Sequence, residues 1–593
     1  MDKEALKRKY AQERDKRLRS DGNDQYIRLE NQFARLQEDP YVERTERPAL
    51  TDHVTVAFVG GGFAGLVTGA RLAELGVTDV RIVEKGGDFG GTWYWNRYPG
   101  AMCDTASMIY MPLLEETGHM PSEKYARAPE ILEHCERIGK QYDLYQRALF
   151  HTRVQSLQWL DDKQVWRIRT DRGDDFTAQF VATGTGPLHV PKLPGVPGIE
   201  DFQGHAFHTS RWDYDYTGGN AEGAPMTGLA DKRVALIGTG ATAVQCVPPL
   251  SRYCKTLYVC QRTPSSVDER SNEPLDANWY ADATRQSGWQ RRWMENFTQN
   301  MVGGGAEEDL VHDGWTDLSR NFRNKVAELP ADKQTDPVSM MLAYEDSDIE
   351  KMEEIRARVD REVADPETAA KLKAWYGQLC KRPCFHDEYL GAFNNASTVL
   401  LDTDGKGVER VTEKGVVVAG VEYEVDCIIY ATGFEVGTEL VDRCGFETFG
   451  RDGQNLTDYW GDGMRTLHGM FVRNFPNAFR VQPTQGANFI ANVPHNIVES
   501  AQTIALVIKH ALDGDHQVVE VSQAAEDAWV ELLSHASPML ASPDCTPGYY
   551  NNEGQPIPET AARNVGYPAG PMPFFDYQRQ WRESGAFEGL EFA

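Results

Sequence analysis

Apolar residues along this chain alternate between short unbroken runs and helically spaced stretches. His53-Val-Thr-Val-Ala-Phe-Val59 and Arg233-Val-Ala-Leu-Ile237 are runs of the kind that form strands buried on both faces. Each run leads into a glycine cluster and then a helix-forming stretch, Leu66 to Leu75 after the first. A further β-rich run follows each, Val80-Arg-Ile-Val-Glu84 and Thr256-Leu-Tyr-Val-Cys-Gln-Arg262. Strand, glycine turn, helix and strand, written twice, predict an α/β chain with two parallel-sheet units. Another strand is expected at Val399 to Asp402, with helices at Ser347 to Val363 and Val498 to Leu512. Residues 1–50 read differently. Leu6, Tyr10, Leu18, Tyr26, Ile27 and Leu29 are loosely spaced for amphipathic helices until Pro40 and Pro48 break the pattern. That segment is expected to be a packing arm with no chemistry of its own.

The glycine clusters carry the chemistry. Gly60-Gly-Gly62-Phe63-Ala64-Gly65 sits between strand and helix, the context in which GxGxxG binds a dinucleotide. Gly60 allows the turn, Gly62 lets the backbone approach a pyrophosphate, and Gly65 lets helix and strand pack closely. The phosphates then meet the amides of the helix N-terminus. Glu84 ends the next strand where a carboxylate accepts both ribose hydroxyls, so FAD or NAD fits and NADP does not. Gly238-Thr239-Gly240-Ala241-Thr242-Ala243 is the second fingerprint, and its following strand ends on Arg262 and Thr263. An arginine fork and a hydroxyl at that place bind a 2′-phosphate, which predicts NADPH. The fold class is therefore two Rossmann-like dinucleotide-binding domains, for FAD and NADPH, with a helical insertion.

Two Ala-Thr-Gly steps, Val181 to Gly184 and Tyr430 to Phe434, bracket the middle region where the chain leaves and re-enters the first domain. The expected division is a charged extension over 1–50, the first segment of the FAD-binding domain over 51–190, and the NADPH domain over 191–389. Its helical insertion spans about 265–379, and 390–593 completes the FAD domain and covers the substrate. Gly303-Gly-Gly305 is either a moving break or a simple turn between helices.

Charge removes other functions. The 593 residues carry 61 basic against 89 acidic side chains, a net charge of −28, which argues against nucleic acid or an anionic membrane as partner. No apolar run is long enough for a membrane span and the N-terminus lacks a signal-peptide core, so a cytoplasmic protein is expected. Ten scattered cysteines without a CxxC pair suggest reduced thiols, no metal site, and no dithiol for a disulfide reductase.

Between the fingerprints lies Phe202-Gln-Gly204-His-Ala-Phe-His208-Thr-Ser-Arg-Trp212-Asp213. Soon after the first fingerprint come Gly90-Gly91-Thr92-Trp93-Tyr94-Trp95, then Tyr98-Pro-Gly100 and Asp104. In both stretches the chain resembles the type I Baeyer–Villiger monooxygenases, flavoproteins that insert one oxygen atom beside a ketone carbonyl. The resemblance runs over about residues 50–593. It implies that Arg382, in the context Cys380-Lys381-Arg382-Pro383, stabilises the negative flavin peroxide and then the tetrahedral adduct of the ketone, and that Asp104 orients it. It implies that Lys381 joins Arg262 and Thr263 on the 2′-phosphate, and that His208 and Trp212 couple domain movement to catalysis without touching substrate. By the same resemblance Gly91, Thr92, Trp93, Trp95, Tyr110, Val154 and Gln245 belong to the cofactor-binding set. Gly548-Tyr549-Tyr550 departs from smaller-ketone members, which carry tryptophan there. With the N-terminal arm, this makes the chain similar to cyclododecanone and cyclopentadecanone monooxygenases, acting on bulky or large-ring ketones with O2. A flavin monooxygenase of nitrogen or sulfur centres is the alternative, and a non-catalytic NADPH sensor a third reading.

Overall fold

Each glycine turn stands at the end of a parallel strand in its own sheet, and the two sheets account for most of the architecture. The computed structural model describes residues 2–29, 31–302, 305–436, 440–488, 491–536 and 544–593. In the first sheet His53–Val59 is central, paired in parallel with Val80–Val83 and Asp175–Thr183. Antiparallel strands Val165–Thr170 and Val154–Leu160 extend it on one side, and Ala148–Leu149 on the other. Ala478–Arg480 and Glu447–Phe449 return from far along the chain to join the same sheet. The unbroken apolar run of the central strand has its reason here, since Val56, Ala57, Phe58 and Val59 are buried from both sides. Helix Phe63–Glu74 covers one face, and helix Val493–Asp513 packs on it.

The second sheet is all parallel, in the order Thr398–Asp402, Thr256–Gln261, Arg233–Ile237, Cys427–Tyr430, His205–His208. This moves a boundary. The second unit was expected to end at residue 389, just beyond the helical insertion, although the Ala-Thr-Gly step at Tyr430 to Phe434 marks the re-entry into the first unit. Instead the chain crosses back to add Thr398–Asp402 at one edge and Cys427–Tyr430 beside Arg233–Ile237, so that unit closes only after Tyr430. Parallel neighbours need long crossover connections, and here the insertion is one of them. Its helices are Ala277–Ala283, Trp289–Met301, Gly314–Glu328, Pro337–Glu362 and Pro366–Leu372. Gly303 and Gly304 of the expected glycine break lie outside the described residues.

The N-terminal segment does pack as an arm. Helix Lys3–Asp15 lies on the long insertion helix, with Lys7 2.6 Å from Glu345 and Arg356 donating to Tyr10 at 3.2 Å. Tyr26–Ile27 then pairs with Leu193–Pro194.

One expectation fails. Cys380 and Cys545, 165 residues apart, form a disulfide with a Cα–Cα separation of 5.2 Å, and the other eight cysteines are free. Sequence spacing carries no trace of a pair that only folding brings together. Among the described residues no helix is long and apolar enough to cross a membrane.

Candidate active site

The two glycine turns are built alike. Gly60 has φ of +114° and Gly238 +112°, in the left-handed half of backbone space that side chains avoid. A Cβ on Gly60 would lie 2.5 Å from the Gly184 carbonyl oxygen, and one on Gly238 would lie 2.4 Å from that of Ala431. Each first glycine is thus pressed against one of the Ala-Thr-Gly steps, which gives those weak sequence signals a physical role. Gly65 lies under the Gly60 carbonyl, where a Cβ would come within 2.1 Å. Gly62 faces Gly91, which has φ of +53°. Neither Gly62 nor Gly240, the caps of helices Phe63–Glu74 and Ala241–Tyr253, provides a side-chain cap, so the first-turn amides are left for an anion.

Around the first turn, Glu84 is buried and accepts from the Gly61 and Gly86 amides, both at 2.6 Å. Burial raises its pKa, against the pull of those two bonds. Thr92–Trp95 forms one helical turn, from which Trp93 Nε1 donates to the Tyr110 hydroxyl at 3.2 Å. Tyr110 also meets Phe63 edge-on, with ring centroids 5.7 Å apart. These residues form one aromatic wall beside the glycine turn. Trp95 does not belong to it. Only 1% exposed, its ring packs against Arg211 at 4.0 Å and Lys85 at 5.0 Å. Val154 is buried at the start of its strand.

At the second turn, Thr239 donates through its hydroxyl to the Thr263 carbonyl at 2.6 Å, while the buried Thr263 hydroxyl has no protein partner. Ala241 and Thr242 open the helix half-buried, and Ala243 is buried behind them. Arg262 donates to Gln25 of the arm and lies 3.5 Å from the Glu553 carboxylate. Lys381 Nζ donates to the Pro547 carbonyl at 3.0 Å. Burial, reinforced by Arg262, pulls its pKa down to about 8. Gln245, grouped with the cofactor-binding residues from resemblance, is occupied by protein. Its amide donates to the Met102 carbonyl at 2.8 Å and its oxygen accepts from Tyr98 at 2.8 Å, tying the second unit to the Tyr98-Pro-Gly100 segment.

That tie leads to the centre. Arg382 Nη2 donates to Asp104 Oδ1 at 2.6 Å. Trp315 of the insertion supports both partners: its ring nitrogen donates to the Asp104 carbonyl at 2.7 Å, and the Arg382 guanidinium lies 5.5 Å from its ring. Burial works to lower the Arg382 pKa, but the Asp104 carboxylate, acting with Tyr550, Tyr549 and Cys384, more than offsets it and the pKa is raised. Arg382 is a fixed cation held by a buried anion, with a third of its side chain exposed (34%).

The joining stretch Phe202 to Asp213 holds the units through buried contacts. A Cβ on Gly204 would come 2.8 Å from the Asp426 carbonyl oxygen. His208 is fully buried at the end of its strand, edge-on to Phe434 at 5.5 Å. Burial takes its pKa down to about 3, so the ring is neutral, and Nδ1 accepts the Ser210 amide at 3.1 Å. Trp212 donates to Thr217 at 3.1 Å, and its own amide donates to the Tyr41 hydroxyl at 3.2 Å. Asp213 accepts from the Tyr216 amide at 2.9 Å and meets His205 at 2.9 Å. Trp315, Glu553, Gln25 and Tyr41 were not foreseen, because nothing local in the sequence distinguishes them.

The model of the family described as pyridine nucleotide-disulphide oxidoreductase matches residues 57–273. Neopentalenolactone D synthase of Streptomyces avermitilis is 46% identical over 100% of this chain and 99% of its own. A Baeyer–Villiger monooxygenase of Streptomyces coelicolor is 46% identical over 99% of this chain and 96% of its own. The solved polycyclic ketone monooxygenase of Thermothelomyces thermophila superposes with a TM-score of 0.92 at 38% identity, covering 100% of this chain and 99% of that one. The matched length contains both glycine turns and the Arg382–Asp104 pair, and on this likeness the chain belongs to the Baeyer–Villiger monooxygenase family.

Proposed function

We propose that this enzyme uses FAD, NADPH and O2 to convert bulky or large-ring ketones to esters or lactones, and that Arg382 is its catalytic cation. The Arg382–Asp104 pair, at 2.6 Å and backed by Trp315, carries the reading. FAD, when bound, supplies the oxygen chemistry, and NADPH the hydride.

The residues fit both groups. The Gly60–Gly65 turn has no side chain to obstruct a pyrophosphate, and Glu84 is an acid at the end of the second strand. Phe63, Ala64, Gly91, Thr92, Trp93 and Tyr110 line the flavin side. At the second turn, Arg262, Lys381 and the unpartnered Thr263 hydroxyl match a 2′-phosphate in charge and in donors.

Arg382 faces the oxygen of the ketone carbonyl as negative charge grows on it, and a preorganised donor of this kind typically contributes about 10²–10³-fold. Asp104 prevents the guanidinium from turning away, and Trp315 fixes Asp104 from behind. Such a guanidinium presents a planar fork that a lysine does not reproduce. A Cβ on Gly548 would lie 3.0 Å from Lys381 Nζ, the mobile end of a flexible side chain, so the bulky-ketone reading rests on the resemblance to the large-ring members.

The test supplies heavy-isotope oxygen gas to the holoenzyme with a polycyclic or macrocyclic ketone, and separately with a thioether. One labelled atom in an ester or lactone is the expected result. Labelled sulfoxide without any ester would overturn it in favour of a heteroatom monooxygenase.

A further inference from the structure

Glu553 is a carboxylate where the coenzyme reading calls for cations. Its side chain is 5% exposed, and one oxygen lies 3.5 Å from Arg262 Nη2. The other accepts from the Tyr26 hydroxyl at 3.1 Å. Lys381 and Lys192 are within electrostatic range, and Glu553 works to keep both protonated.

The backbone is built to put it there. Asn552, Glu553 and Gly554 follow one another at φ of +52°, +53° and +77°. Glutamate rarely takes up this left-handed conformation, and it persists only where surrounding contacts impose it. They do so here. Asn551 donates to the Cys545 and Thr546 carbonyls and accepts the Gly548 amide at 2.9 Å, while the Glu553 amide bonds back to Gly548 at 2.9 Å. The disulfide to Cys380 and the Lys381–Pro547 bond hold this knot on the segment carrying Arg382. From the other side, Asn23 of the arm donates to Asn552 at 2.9 Å, and Gln25 accepts from Arg262. The N-terminal arm and the C-terminal loop thus close on Arg262 together.

We propose that Glu553 is a coenzyme-specificity residue: a resident carboxylate that occupies the Arg262–Lys381 cation cluster and competes with the 2′-phosphate for it. This rests on the assignment of that cluster to NADPH. Without nucleotide, Glu553 neutralises cations that would otherwise repel one another in a half-buried site. When a 2′-phosphate arrives, with about −1.5 to −2 charges at neutral pH, Arg262 turns from the carboxylate to the phosphate and Glu553 is left as a nearby like charge. Phosphate binding is therefore weaker than the cations alone would make it, which eases coenzyme exchange. A nucleotide without the phosphate leaves the Arg262–Glu553 pair intact and is indifferent to the charge on Glu553.

The test is calorimetric titration of the FAD-loaded full chain with adenosine 2′,5′-bisphosphate and with AMP. Glu553→Gln, which keeps shape and removes charge, is expected to bind the bisphosphate on the order of tenfold more tightly and AMP unchanged. Glu553→Asp, which keeps the charge, is expected to behave as wild type. Unchanged or weaker bisphosphate binding in Glu553→Gln, with the wild-type preference for bisphosphate over AMP intact, overturns the role of Glu553 alone. So does an Asp variant that behaves like Gln. If the wild-type protein does not prefer the bisphosphate, or Arg262→Ala leaves the preference untouched, the coenzyme assignment itself falls and takes the role of Glu553 with it.

Discussion

Arg382 and Asp104, 278 positions apart, meet at 2.6 Å through a single guanidinium nitrogen and a single carboxylate oxygen. Asp104 comes from the loop beside the first glycine turn and Arg382 from the segment that leaves the helical insertion. The pair therefore exists only while the two units are docked. Its geometry holds the Arg382 guanidinium in place with a third of the side chain exposed, the part that meets substrate in the proposed mechanism.

Removing that cation separates two half-reactions. Arg382→Ala is expected to accept hydride from NADPH at close to the wild-type rate while ester or lactone formation falls by at least about 10²-fold. Arg382→Lys is expected to fail in the same way. Asp104→Asn, which retains an acceptor but no charge, is expected to lose about tenfold in product formation. Stopped-flow flavin reduction and product analysis by mass spectrometry read the two halves. A reduction rate that collapses together with oxygenation would assign Arg382 to coenzyme binding alone.

The twin glycine turns predict a contrast between two alanine variants. Gly60→Ala places a Cβ on the Gly184 carbonyl and is expected to purify without flavin absorbance. Gly238→Ala collides with Ala431 and is expected to retain flavin while binding NADPH at least about tenfold more weakly. Equal flavin loss in both would show that the turns do not serve separate nucleotides.

If Lys381 holds the 2′-phosphate as proposed, coenzyme binding is expected to depend on pH. Its pKa is depressed from 10.5 to about 8 by burial, so the protonated form is dominant below 8 and is lost as pH rises through that value. The 2′-phosphate, with its second pKa near 6, is already dianionic there and does not contribute. NADPH affinity measured by calorimetry is expected to fall between about pH 7 and pH 9.5, and Lys381→Met to flatten that fall. An identical slope in the variant would place the titrating group elsewhere.

The disulfide can be counted. Alkylation in denaturant without reductant is expected to label eight of the ten cysteines, with Cys380 and Cys545 recovered as one linked peptide pair. Cys545→Ser is expected to cost about 2–4 kcal/mol, read as a lower Tm. Ten labelled cysteines without reductant would remove the crosslink from the account.

Much of this site is legible before folding. The glycine turns, Glu84 and Arg262 could be placed because the dinucleotide-binding fold fixes their offsets along the chain: the turn follows the first strand, and the ribose-binding residue ends the second. A strand buried on both faces writes its environment into its own composition, so His53–Val59 and Arg233–Ile237 appear where expected. Those are local relationships, within the reach of one strand, one turn and one helix. Tertiary structure decided the rest. The Ala-Thr-Gly step at Tyr430 already marks where the second unit closes, but that Thr398–Asp402 and Cys427–Tyr430 belong to its sheet depends on which strands pair across a long crossover. That Trp95 packs against Arg211 while Trp93 joins the aromatic wall depends on which way one helical turn faces. Trp315 behind Asp104, Glu553 on Arg262 and Cys380 on Cys545 join residues 211, 291 and 165 positions apart. No local pattern selects such partners, because the free energy that joins them exists only after both sheets and the insertion have packed.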